Sequence, residues 1–369
     1  STVRSKMRLW KKFMIFFLLI TFLSVTSVVS RTPGQIKTRD LRDLFSLPEA
    51  STHPIRRFRD ENDIRHDVIA VCAPFRGDNT RDFIFRLKAQ NVKIIGVQHY
   101  QEFPNSMSNP SEDPYVKTHP IDYVSLCDAW LTCERNPEKT FRERPHIELV
   151  ESDFADAKWL ENIVVKTNGA IPKKEFDFIY SVPGDPGQQR SPNTTCSNSG
   201  WQSHCRNWEL AKQCLPILCT KMGLFGVVVG RECLPNFDEL GVSSHVKLVE
   251  FQKYGDLQVL FKKARFLFVP NKSDASPRVL TECLAHGTPV IVNEDIVGGW
   301  KYVNDKTGAF FTDPQNVEAA AKKALKISEN SRDVQDTFQV TYGKEKSAKA
   351  LSAFFNDTFG FESKTITFV

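Results

Sequence analysis

The sequence predicts an α/β protein built from two doubly wound halves. Three observations predict it. Residues Arg265–Asn293 read as a buried strand, a polar loop, a short helix and a second buried strand. Strand-like and helix-like runs alternate from Asp67, and a second alternation starts at Phe176. Such alternation gives parallel strands joined by right-handed crossovers, and 369 residues are enough for two cores of this kind.

The unit at Arg265–Asn293 carries the most chemistry. Phe266–Val269 and Val290–Val292 are short aromatic or β-branched runs, the kind that form strands covered on both faces. Between them Val279, Leu280, Cys283 and Leu284 recur at helical spacing, with Ser276 as N-cap and Pro277 at the first helical position. The helix N-terminus then faces the C-terminal edge of the strand, where open α/β sheets bind ligands and where a helix end suits phosphate. Ser276 and Arg278 are the phosphate-side candidates. Glu282 lies near the far end of this short helix, so its carboxylate suits ribose hydroxyls. Gly287 ends the helix in the left-handed conformation, and Pro289 blocks its continuation. An ordinary βαβ unit with nothing bound has the same outline.

In the first half, Val68–Ala73 reads as a strand, Arg76-Gly77-Asp78 as a turn, Thr80–Gln90 as an amphipathic helix and Val92–Val97 as the next strand. Leu126–Cys133 and Ile147–Glu151 are further strands, which gives a small Rossmann-like half over residues 65–170. The long loop Gln98–Thr118 follows a strand end, where binding and catalytic groups belong. The second half spans residues 171–330. It has strands at Phe176–Val182, Gly223–Gly230, Val246–Val249 and Phe266–Val269, and helices at Trp208–Thr220 and Asn316–Lys326. Residues 331–369 carry a last helical segment.

Charge narrows the class. Arg4, Lys6, Arg8, Lys11 and Lys12 stand with no acid in a basic tail, residues 1–12; without them the 49 Lys and Arg fall level with the 44 Asp and Glu. A balanced globular part gives no support for nucleic-acid binding as the main role, and no nucleic-acid partner is expected. The tail precedes the uncharged run Phe13–Ser30, which reads as a signal anchor, with a cleavable signal peptide as the alternative. Residues 31–64, polar and weakly periodic, read as a stem. The positive-inside rule then gives a single-pass type II protein of the Golgi or endoplasmic reticulum membrane with a lumenal body, or a secreted one if the signal is cleaved.

An oxidising lumen favours a Cys196–Cys205 disulfide, whereas Cys72 and Cys283 read as core thiols. No metal site is expected. Cys196, His204, Cys205 and Cys214 fit no standard ligand spacing, and there is no Asp-x-Asp. Of the sequons at Asn193, Asn271 and Asn356, Asn271 sits at the mouth of the ligand edge and is expected to stay bare.

Asp274 to Glu282, followed by Ala285-x-Gly287-Thr288-Pro289-Val290, resembles the Glu-x7-Glu plus GTPV signature of GT-B glycosyltransferases of the family 4 type. Val297-Gly298-Gly299 through Thr307-Gly308 resembles that family's downstream segment. The resemblance covers roughly residues 245 to 325. It implies a GT-B fold, with residues 331–369 crossing back to the first half, and a nucleoside diphosphate-sugar donor without other cofactor. The acceptor would be a glycan, glycoprotein or lipid. Glu282 falls on the ribose ligand and Asp274 on the residue that contacts the transferred sugar. Arg231 falls where a cation meets the diphosphate, with Arg206 and Lys212 in a looser alignment. Gly77 would let backbone approach donor or acceptor.

His99 would orient the sugar in a retaining enzyme, or act as base in an inverting one; a structural loop histidine is the plain alternative. Two departures stand out: Asp274 is one methylene shorter than the family's Glu, and Lys301 stands where the family has an acid. Ala275-Ser276-Pro277-Arg278-Val279 also resembles exostosin-type enzymes, which share the fold and invert. The expectation is a retaining, metal-independent glycosyltransferase. An inverting exostosin-like enzyme and a non-catalytic carbohydrate-binding or scaffold protein are the alternatives.

Overall fold

The computed structural model describes residues 44–46, 54–73, 78–98, 122–182, 206–230, 237–250 and 252–369. The anchor at 13–30, the basic tail, the Cys196–Cys205 pair and the loops 99–118 and 183–205 lie outside them. Among the described residues no helix is long and apolar enough to cross a membrane. The chain divides into two units, Ser1–Leu47 and Pro48–Val369. Within the first, residues 44–45 form a helical turn.

The second unit holds two six-stranded sheets. The first comprises β1 (Ile55–Arg59), β2 (Ile64–Ala73), β3 (Lys93–Gln98), β4 (Ala129–Leu131), β5 (His146–Ile147) and the C-terminal β12 (Thr367–Phe368), in the order β12-β1-β2-β3-β4-β5. Strands β2 to β5 run parallel, and β1 is antiparallel to both β2 and β12. Helices α1 (Asp78–Ala89), α2 (Tyr123–Leu126) and α3 (Pro137–Phe141) connect them, and a 3-10 turn at Glu151–Phe154 leads into α4 (Ala157–Asn168).

The second sheet is parallel throughout, in the order β11-β10-β9-β6-β7-β8. Its strands are β6 (Phe176–Ser181), β7 (Gly226–Val229), β8 (Val246–Val249), β9 (Ala264–Val269), β10 (Val290–Asn293) and β11 (Gly308–Phe311). Its helices are α5 (Trp208–Pro216), α6 (Tyr254–Lys263), α7 (Arg278–Ala285), α8 (Val317–Ser328) and α9 (Ser331–Thr341); α10 (Gly343–Phe359) follows.

The period-two alternation of a strand explains why both faces are covered. In β9, Phe266 and Phe268 face one cluster with Trp208, Leu215 and Ala321, whereas Leu267 and Val269 face the other, with Leu280, Cys283 and Leu284 of α7. The first half is closed by the C-terminal helix: Leu351 and Phe355 of α10 pack with Phe58, Val68, Ala70 and Ile95. Two sheets, the first mixed and the second parallel, with the chain end returning to the first half, agree with the arrangement that the resemblance implies.

Three sequence expectations change. The expected stem runs to residue 64, yet Ile55–Arg59 is a sheet strand with Ile55 and Phe58 buried. A register shift between Arg57 and Arg59 breaks the alternation that would have exposed it to a sequence reading. Ser276 is not the N-cap of α7; Pro277 holds that position without a side-chain cap. The last apolar segment is two helices, α9 and α10, parted at Gly343 with φ +78°.

Candidate donor site

The loop between β9 and α7 is built around one carboxylate. Asp274 Oδ2 accepts from Asn271 Nδ2 at 3.1 Å and from Arg206 Nη1, and its Oδ1 accepts from the Ser276 N–H at 3.3 Å. The same residue's backbone carbonyl accepts from the Gly298 N–H at 2.8 Å, so the Gly-Gly segment supports the loop from below. A Cβ on Gly298 would lie 2.0 Å from the Ala275 carbonyl oxygen, which is why glycine stands there. Asp274 and Arg206 are both largely buried, and the Arg206 Nε has no hydrogen-bond partner. Asn271 is buried, with its amide nitrogen donating into this loop.

Glu282 lies about one helical turn along α7, four residues after Arg278. Tyr254 OH donates to its Oε1 at 3.0 Å and Gln258 Nε2 to its Oε2 at 2.9 Å, both from α6. Burial pushes its carboxyl above the usual range, against the pull of those two donors and of the Arg278 charge. Glu282 and Arg278 line a cavity of about 860 Å³ with Tyr254, Trp159, Arg56 and Lys344. That volume suits a ligand of nucleotide size. The Trp159 and Tyr254 rings lie 5.8 Å apart on its wall. Asp274 and Ser276 do not line it.

Between the cavity and Asp274 the two halves touch. Ser276 Oγ shares a hydrogen bond of 2.6 Å with Ser152 Oγ and accepts from the Ser152 N–H at 3.3 Å. Trp300 Nε1 donates to the Cys133 carbonyl at 3.0 Å, and Arg135 Nη2 to the Glu294 carbonyl at 2.6 Å. Lys301 reaches Asp153 Oδ2 and the Glu148 carbonyl, each at 2.9 Å.

Of the sequence-derived candidates, Asp274, Ser276, Arg278 and Glu282 thus cluster at α7. Gly77, His99 and Arg231 lie outside the described residues. The looser alignment of cations divides: Arg206 meets Asp274, whereas Lys212 pairs with Glu209 at 2.9 Å. Tyr254, Gln258 and Ser152 were not foreseen. Tyr254 and Gln258 stand four apart on one face of α6, a spacing that signals a shared target only once that target is known. Glu134 was also missed. At the edge of the first sheet it accepts from Gln98 Nε2 at 2.8 Å and from Thr140 Oγ1 at 2.6 Å, and burial raises its carboxyl. Cys72 and Cys283 are buried free thiols. Among the described residues no cluster of His, Cys, Asp and Glu is arranged to hold a metal ion.

No curated protein sequence matches the chain. Among solved structures it is similar to the pneumococcal O-GlcNAc transferase GtfA in complex with UDP and GlcNAc, at 10% identity and TM-score 0.48, over 78% of this chain and 56% of that one. Staphylococcus aureus TarM gives 11% and 0.48, over 76% and 54%. Sucrose-phosphate synthase from Thermosynechococcus elongatus gives 14% and 0.49, over 80% and 74%. The chain therefore spans little more than half the length of the first two. Residues 207–343, from α5 to the start of α10, match the family model of glycosyl transferases group 1.

Proposed function

We propose that the protein is a glycosyltransferase that moves a sugar from a nucleoside diphosphate-sugar to a glycan, glycoprotein or lipid acceptor, with retention and without a metal ion. The observation that carries this reading is the pair of Glu282 and Arg278 on one wall of a nucleotide-sized cavity, within the segment that matches the family. Glu282 holds the ribose. Arg278, with Arg231, stabilises the diphosphate, and the N-terminus of α7 adds its partial positive charge. Asp274, steadied by Arg206, meets the transferred sugar. In the retaining course the leaving phosphate takes the proton of the acceptor hydroxyl, so no protein base is required there. His99 is the base to test if the product is inverted.

The anchor reading belongs to the same proposal. It is supported by the five cations ahead of the uncharged run Phe13–Ser30, which would hold the body in a Golgi or endoplasmic reticulum lumen.

A second reading rests on a specific observation. Asp274 is already engaged by Arg206 and Asn271, and the Ser276 hydroxyl by Ser152, which suits a non-catalytic carbohydrate-binding or scaffold protein. Incubation with a panel of nucleotide sugars separates the two. The enzyme reading expects release of nucleoside diphosphate, by transfer or slow hydrolysis; no release and no thermal shift with any nucleoside diphosphate would defeat it. The anomeric configuration of the product, read by NMR, decides between retention and inversion.

A further inference from the structure

The carboxylate of Glu282 is the end of a buried chain of donors. Its Oε2 accepts from Gln258 Nε2 at 2.9 Å, and Gln258 Oε1 lies 2.9 Å from His286 Nε2. Gln258 and His286 are 0% and 1% exposed, so each polar atom must find its partner inside the protein. A side-chain amide has one donor end and one acceptor end. An ionised Glu282 accepts only, which turns the NH₂ of Gln258 toward it and leaves the amide oxygen to be met by an N–H. His286 supplies that N–H, so its ring carries a proton on Nε2. The ring is neutral: burial, aided by the nearby Lys262 and Lys174 charges, lowers its pKa to about 3. Lys262 Nζ also donates to the His286 carbonyl at 2.7 Å, which fixes the residue at the C-terminal end of α7.

The consequence is a carboxylate held at both oxygens, by Tyr254 on one and Gln258 on the other. A carboxylate has about four lone-pair directions, so two stay available, one on each oxygen. Glu282 is among the residues that line the cavity. Two adjacent acceptors on a fixed plane match the two neighbouring hydroxyls of a ribose.

We propose that His286, acting through Gln258, is a positioning residue that sets Glu282 to take both ribose hydroxyls and thereby selects ribonucleotides over 2′-deoxyribonucleotides. This rests on the reading of the cavity as a nucleoside diphosphate site. Without the His286 donor the amide of Gln258 turns freely, and Glu282 keeps one anchored oxygen.

The test is calorimetric titration of the full chain with uridine, guanosine and adenosine diphosphates and their 2′-deoxy counterparts. The parent protein is expected to favour the ribose form by about tenfold or more, the scale of one hydrogen bond to a charged group. His286→Phe and Gln258→Met should each cut that ratio several-fold and leave the deoxy affinity nearly unchanged, while His286→Gln, which keeps an N–H, restores it. A merely structural role would weaken both forms alike and leave the ratio intact, and that result in either folded variant overturns the proposal. If no diphosphate binds the parent chain, the cavity reading falls and takes the proposal with it; binding with an unaltered ratio in the variants sinks the proposal alone.

Discussion

Lys301 Nζ, on the Gly-Gly segment of the second half, donates to Asp153 Oδ2 of the first half at 2.9 Å, with the two side chains only 8% and 2% exposed. The lysine that departs from the family pattern is therefore a tie between the halves. An acid at 301 would face Asp153 across a nearly dry contact. Burial raises the Asp153 carboxyl, and the Lys301 charge works against that rise.

Removing one member of this pair should cost far more than removing both. Lys301→Met leaves Asp153 charged and buried, at about 3 kcal/mol or more. Lys301→Met with Asp153→Asn should recover most of the loss, and Lys301→Glu should be worse than either. Urea denaturation measures all three. Equal stability of the single and double variants would show that the pair does not couple.

Asp274 and Arg206 should behave as one unit in catalysis. Asp274→Ala frees a buried guanidinium whose Nε is already unpartnered. Either Asp274→Ala or Arg206→Ala is expected to lower nucleoside diphosphate release by roughly 10²-fold, the scale of losing one preorganised electrostatic contact, and the double variant by little more than either. Additive losses would mean that the two act on separate steps. Asp274→Glu, the family's own residue, should not improve the rate, because the added methylene crowds Arg206 and Asn271.

The fold was readable wherever the apolar period ran unbroken. β9, α7 and β10 alternate or repeat cleanly, and Gly287 ends α7 at φ +75° as its sequence position requires. β1 was hidden by its own bulge. In the site, the spacing of Asp274 and Glu282 is local and was therefore legible. Their partners are not local: Arg206 stands 68 residues from Asp274, and Ser152 stands 124 from Ser276. Ser276 illustrates the limit, since Ser before Pro reads as a cap by propensity, and only the approach of the other half gives its hydroxyl a different partner.

Gly298 gives a packing prediction. Its N–H holds the Asp274 carbonyl at 2.8 Å, and an added Cβ would meet the Ala275 carbonyl at 2.0 Å. Gly298→Ala must push the loop that carries Asp274. A stability loss of about 1–3 kcal/mol is expected, the range for overpacking, together with weaker nucleotide-sugar turnover. Gly169→Ala is the control: its φ is +75° but nothing lies within 4 Å of a new Cβ, so it should lose stability without touching turnover. Loss of turnover in both would detach the effect from the loop.

Stability should rise from pH 7 to about 9, and Lys174 should be a principal cause. Its ammonium is buried beside the Ala264 carbonyl and Thr288 Oγ1 with no acid among these partners, and burial lowers its pKa to about 7 from an ordinary 10.5. Between these values the unfolded chain binds the proton and the folded chain does not. By linkage, raising the pH then favours the fold. Lys262, also lowered by burial, adds in the same direction. Above about 9 the buried thiols oppose it, since Cys72 and Cys214 are held protonated to about 12 while unfolded thiols ionise at 9.0. His286, lowered to about 3, contributes a separate rise between pH 3 and 6.5. Lys174→Met should therefore flatten the curve of unfolding free energy between pH 7 and 9 and leave the acidic limb in place. An unchanged slope in that window would mean that Lys174 keeps its proton in the folded chain.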